Sequence, residues 1–156
     1  MVGAMRLLAA AAIVCWLGVM GFFAAVVAPA AFTTLDREAA GRFVAAVFPR
    51  YYAVGAGLGA LALLALLTRL LRDGRAGGWL SLLLVAVMLA STLYAWLVVL
   101  PAAHAAREAL RQAAPAAGAV STESLAFTRL HRLSSVLNGL SMLAGVLGLV
   151  AVGIRR

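Results

Sequence analysis

Four stretches of the chain run without a charged residue for long enough to cross a bilayer: Leu7–Phe32, Tyr51–Thr68, Trp79–Ala103 and Leu133–Ile154. A spanning helix needs roughly 20 apolar residues to cross about 30 Å of hydrocarbon. The second run extends to Leu71, because Arg69 can snorkel to the headgroups while Leu70 and Leu71 stay in lipid. The pattern predicts an all-α integral membrane protein, a bundle of four transmembrane helices over about 7–32, 51–71, 79–103 and 133–154 in one membrane domain of residues 1–156. Between the first two spans the period changes. Leu35, Ala39, Phe43, Ala46 and Val47 fall on one helical face and Asp36, Arg37, Glu38 and Arg42 on the other. This predicts an interfacial amphipathic helix over 35–48, capped by Thr33 or Thr34 and supported by a Glu38–Arg42 pair four residues apart.

The connections show an internal order. Arg72-Asp73-Gly74-Arg75 is a short polar turn, so spans two and three form a tight antiparallel hairpin. Val26-Val27-Ala28-Pro29-Ala30-Ala31-Phe32 recurs as Val98-Val99-Leu100-Pro101-Ala102-Ala103-His104, each copy followed by Arg-Glu-Ala at 37–39 and 107–109. Both copies lie where a span leaves the membrane on one side, with a bent exit at Pro29. The pattern predicts two tandem two-helix repeats related by an axis along the membrane normal, with Phe32 and His104 equivalent.

Composition sharpens the class. The chain is 65% hydrophobic, with a mean hydropathy of +1.06, outside the range of soluble domains. The net charge of +8 comes from arginines, nearly all close to a span end and not interleaved with stacking aromatics. The charge therefore points to the lipid bilayer and its anionic headgroups as partners, with no nucleic acid. Arg6, Arg69, Arg72, Arg75, Arg155 and Arg156 lie on one side; Arg37, Arg42, Arg50, Arg107, Arg111, Arg129 and Arg132 lie on the other. The first group sits in shorter loops, which favours cytoplasmic termini. The Ala28-Pro29-Ala30 triplet resembles a signal-cleavage site, yet the apolar run before it is too long for a signal core, so a retained helix is expected. Cys15, the one cysteine, reads as a small buried apolar residue.

Candidate chemistry gathers at the start of the fourth span. A helix capped by Ser121 or Thr122 carries His131, Ser135 and Asn138 at i, i+4 and i+7, with Ser134 beside them. Polar side chains are costly against lipid, so this stripe should face a helix or a wet cavity. Three readings are open: interhelical hydrogen-bond glue; a ligand or ion pathway whose mouth includes Tyr51, Tyr52 and His104; and a metal or haem b site with His104 and His131 as paired imidazoles. Arg50, Arg129 and Arg132 would contact anions or headgroups. Gly55-Ala56-Gly57-Leu58-Gly59-Ala60 fits a dinucleotide pattern, but no strand precedes it. Gly55 and Gly59 instead predict close helix approach, as do Ser141, Gly145 and Gly148. Asp36, Glu38, Asp73, Glu108 and Glu123 lie near span ends or in connections, so no buried carboxylate pair suggests catalysis. Met20, Met88 and Met142 are scattered over three spans with no thioether-binding spacing.

The stretches AAVVAPAAFTTLDREAAGRFVAAVFPRYY (24–52) and FTRLHRLSSVLNGLSMLAG (127–145), with Pro101 ending the third span, resemble the bacterial relatives of transmembrane protein 205, catalogued as domain of unknown function 4149. Phe48-Pro49 with Tyr51-Tyr52, and Phe127, His131, Ser134, Ser135 and Asn138, carry the resemblance most specifically, while 105–120 matches nothing in it. It implies a four-span membrane protein with no agreed activity. The expected function is binding or movement of a small solute or ion in the bacterial inner membrane. The alternatives are a haem or metal redox protein, or an accessory subunit held as a homo-oligomer or against a partner membrane protein.

Overall fold

Helix dominates because every long apolar run must satisfy its backbone internally. The computed structural model describes residues 2–73, 78–112 and 122–154. The Gly74 turn, Ser121, Arg155 and Arg156 lie outside them. Helix α1 (Val2–Phe22) passes through a π turn at Phe23–Val27 into α2 (Ala28–Thr34). Next come α3 (Arg37–Asp73) and α4 (Trp79–Tyr94); α4 passes through a π turn at Ala95–Val99 into α5 (Leu100–Gln112), and α6 (Thr122–Ile154) closes the order. Among the described residues, four helical segments are long and apolar enough to cross a membrane, and they pack as a bundle: Gly3–Thr34, Arg37–Arg72, Trp79–Leu110 and Leu125–Gly153.

The two π turns have one cause. A proline ring clashes with the carbonyl four residues earlier and donates no hydrogen bond, and a wider turn just upstream relieves both. Pro29 and Pro101 each sit two residues beyond a π turn, and the turns are offset along the chain by the same interval as the prolines. The duplicated sequence is thus a duplicated piece of geometry, which supports the repeat.

The region expected as a separate interfacial helix is the beginning of α3, which runs on through Pro49 without interruption for 37 residues. At about 1.5 Å per residue α3 is roughly 55 Å long, well beyond the ~30 Å of hydrocarbon, so it projects from the bilayer. Pro49 is carried inside this helix, which has no π turn upstream of it. Of the expected apolar face, Leu35 and Phe43 are exposed; the fully buried residue is Ala40, which that face does not include. Beside Ala40, the Arg107 guanidinium of α5 lies against Gly41 and donates to the Glu38 carbonyl at 3.1 Å.

Neither threonine caps α3. Thr33 and Thr34 donate back to the carbonyls of Pro29 and Ala30, closing α2. The cap is Asp36, whose Oδ1 accepts the backbone N–H groups of Glu38 (3.0 Å) and Ala39 (2.8 Å). The expected Glu38–Arg42 pair is present at 2.7 Å. The Ala39 bond, foremost, holds the Asp36 carboxyl below its ordinary pKa. A depressed folded-state pKa means that the cap stabilises above the unfolded value of 3.8 and that this is lost as pH falls through the folded value. Protection of the Glu38 and Ala39 amides, measured as exchange relative to the unstructured rate at the same pH, is therefore expected to fall in acid below pH ~4 in wild type. At neutral pH the same loss of protection is expected in Asp36→Ala but not in Asp36→Asn, which keeps the acceptor.

The core has two layers. In one, Ala9, Ala12 and Ile13 of α1 meet Ala62, Ala65 and Leu66 of α3, with Val85 and Val152. In the other, Trp16, Met20, Met88 and Ala144 pack together. Trp16 is 1% exposed and lies in the groove that Gly55 and Gly59 leave on α3. A Cβ at those glycines would come within 2.7 and 2.5 Å of its indole, so the expected close approach is realised by a nested tryptophan. Cys15 is exposed on the outer side of α1, contrary to the expectation of burial, since its neighbours Ile13 and Trp16 take the inward positions.

Candidate functional site

The inward face of α6 is set by packing. Ser134, Asn138, Ser141, Gly145, Gly148 and Val152 recur at alternating steps of four and three, the period of a helix–helix seam. Gly145 admits Leu17 and Met88, and Gly148 faces Leu84 and Val85. Extended toward the N-terminus of α6, this seam brings Ser134 and Asn138 against α3 and α4.

The expected stripe of His131, Ser135 and Asn138 is therefore divided. Asn138 is half-buried, and its Oδ1 accepts from the Tyr51 hydroxyl at 2.7 Å. Ser134, not Ser135, is its inward companion, 3.4 Å from the Tyr52 hydroxyl. Ser135 is exposed and donates to the His131 carbonyl on its own helix at 3.0 Å. A serine that bonds its own backbone this way no longer needs an inward partner, so polarity alone does not decide its facing.

Three residues outside the expected stripe complete the site, and of these only Ser141 is marked in the sequence, as a close-approach position. Ser91 and Ser141 are buried, with hydroxyls 2.6 Å apart, and Ser91 also donates to the Met88 carbonyl at 3.0 Å. Thr92, also buried, sits beside them. Together Tyr52, Ser91, Thr92, Ala95, Ser134 and Asn138 are the main lining of a small, partly open cleft with clear room for about one water molecule. Ser91 and Thr92 carried a usable signal, two adjacent hydroxyls inside the third apolar run directly before its π turn.

An aromatic group supports the tyrosines. Phe23, in the first π turn, lies 5.3 Å from Phe48 and 5.0 Å from Tyr51, and Phe48 stacks on Tyr52 at 5.6 Å. Ala95, in the second π turn, lines the cleft beside Tyr52. The tyrosine pair is thus held between the two π turns.

Arg50, Arg129 and Arg132 are exposed, and the Arg50 guanidinium donates to the Ala46 carbonyl at 3.3 Å. His104 and His131 are exposed on α5 and α6, and His131 stacks on Phe127 of its own helix at 6.4 Å. Among the described residues, no group of three or more His, Cys, Asp and Glu side chains gathers. The cleft offers hydroxyl and amide groups and no carboxylate, an arrangement suited to hydrogen-bonding a small polar species.

A family model described as "Domain of unknown function (DUF4149)" matches residues 11–112, about two-thirds of the chain. The match takes in the tyrosines, Ser91, Thr92 and both π turns; the α6 wall of the cleft lies beyond it. No curated protein and no solved structure matches.

Proposed function

Because the chain belongs to the DUF4149 family, whose description carries no activity, we propose its function from its own geometry: it binds, and lets pass, a polar solute or ion about the size of one water molecule. The observation that carries this reading is the cleft itself. Three helices bring six side-chain oxygens, from Tyr52, Ser91, Thr92, Ser134, Asn138 and Ser141, to one small space in an otherwise apolar bundle. Polar groups at membrane depth are costly and mark pathways when they face a cavity. Arg50, Arg129 and Arg132 on the same side would hold anionic headgroups. The short, arginine-rich connection after α3 supports cytoplasmic termini in a bacterial inner membrane, with the cleft toward the opposite side.

Flux into vesicles tests the proposal. Proteoliposomes of the wild type are expected to pass water, ammonium or a monovalent cation faster than empty vesicles. Asn138→Leu, close in volume, is expected to lower that flux about tenfold while the protein stays monodisperse. Wild-type vesicles no leakier than empty ones to all of these would end the reading.

A second reading rests on a different observation: among the described residues, every buried side-chain nitrogen or oxygen has a hydrogen-bond partner. A fully paired cluster is also good interhelical glue, typically about 0.6 to 2 kcal/mol per bond. In that case Asn138→Leu lowers the unfolding temperature and changes no flux.

A further inference from the structure

Met20, Met88 and Met142 stand on three different helices, and their spacing along the chain gives them no common purpose. The fold brings them together. Met20 and Met88 are 2% and 0% exposed in one cluster with Trp16 and Ala144, and Met142 packs against that cluster. It adjoins the polar cleft at two points. The Asn138 amide nitrogen is 4.0 Å from the Met142 sulfur. The Met88 carbonyl accepts from both Ser91 and Ser141, at 3.0 and 3.4 Å. The Met88 thioether itself lies over Gly145, where a Cβ would come within 3.0 Å of its sulfur.

We propose that Met20, Met88 and Met142, beside the Trp16 indole, form a binding site for a soft monovalent cation of the copper(I)–silver(I) class. Thioethers are soft donors with no proton to lose, so they hold soft ions without needing deprotonation, and they discriminate against hard cations that require oxygen. The indole face adds attraction for a desolvated cation. Methionine has three rotatable bonds, so the sulfurs can turn toward one ion with little backbone movement. The cation enters through the cleft, whose hydroxyls replace its water as it is shed; for this route alone the inference rests on the proposed passage. No electron is transferred, and the ion stays monovalent throughout.

Silver(I) is the probe. The full chain in detergent, carrying Cys15→Ser to remove its exposed thiol, is titrated in chloride-free buffer and read by native mass spectrometry and silver-edge X-ray absorption. One silver per chain with sulfur neighbours is expected. Met20→Leu, Met88→Leu and Met142→Leu conserve volume and keep the fold, and each is expected to weaken binding at least tenfold; Met5→Leu is expected to leave it unchanged. No stoichiometric silver, or binding that none of the three substitutions moves, overturns the site and leaves the methionines as core packing. Flux without silver binding removes this inference alone, and silver binding without flux removes the passage reading alone.

Discussion

Trp16→Ala is expected to lower the unfolding free energy by about 3 kcal/mol, the low end of the range for buried Phe or Trp truncation. The low end applies because the unfolded reference in a membrane is still in lipid. Little water-transfer free energy changes there, and the cost is lost packing plus the cavity left behind. The cavity closes only as far as the flexible Met20 and Met88 side chains reach into it, since the glycine groove beneath it has no side chain to move in. Gly59→Leu attacks the same contact from the other helix and drives α1 away from α3. Denaturant titration in mixed micelles checks both. A loss below about 1 kcal/mol for Trp16→Ala would mean that the nested indole does not hold the two helices together.

The second large effect concerns the bond between Tyr51 and Asn138, separated by 87 positions in the chain. Tyr51→Phe strands the Asn138 carbonyl oxygen, and Asn138→Leu strands the tyrosine hydroxyl; each is expected to cost about 1 to 2 kcal/mol, because an orphaned buried polar group is more expensive than a removed pair. The double variant is expected to be no worse than either single one, giving a coupling near the ~1.7 kcal/mol maximum measured between membrane helices. Simple additivity would place the two side chains apart.

How far the sequence could be read follows the physics of each signal. Run length found four spans, because hydrocarbon thickness imposes a length on any helix that crosses it. The Gly55–Gly59 groove was legible for a similar reason, since small residues at that spacing have one main use in lipid. The duplicated proline segment marked both π turns by position, although their wider hydrogen-bond pattern could not be read from residue types. The helix expected over 35–48 is present from Arg37 and is continuous with the second span, because a change of hydrophobic period marks a change of surroundings and not a break in the backbone.

The inward residues of α6 were half legible. Polarity and depth single out Tyr51, Tyr52, Ser134 and Asn138, and these do meet. The same signal singles out Ser135, which points out because its hydroxyl is satisfied by its own helix. Following the small residues from Gly148 to Ser141 and onward by seam spacing would have selected Ser134 over Ser135. The methionines were unreadable as a group, since nothing in a chain reports which residues of three separate spans share a depth and a facing direction.

The central claim is that Ser134 and Asn138 face a wet cleft while their neighbours face lipid. Single cysteines in a Cys15→Ser background, treated with a small water-soluble thiol reagent in sealed vesicles, test it directly. Ser134→Cys and Asn138→Cys are expected to react from the side that carries Tyr51, while Val136→Cys and Leu140→Cys, at positions exposed on the outer face, stay unmodified. Reaction at 136 and 140 with none at 134 and 138 would contradict the account.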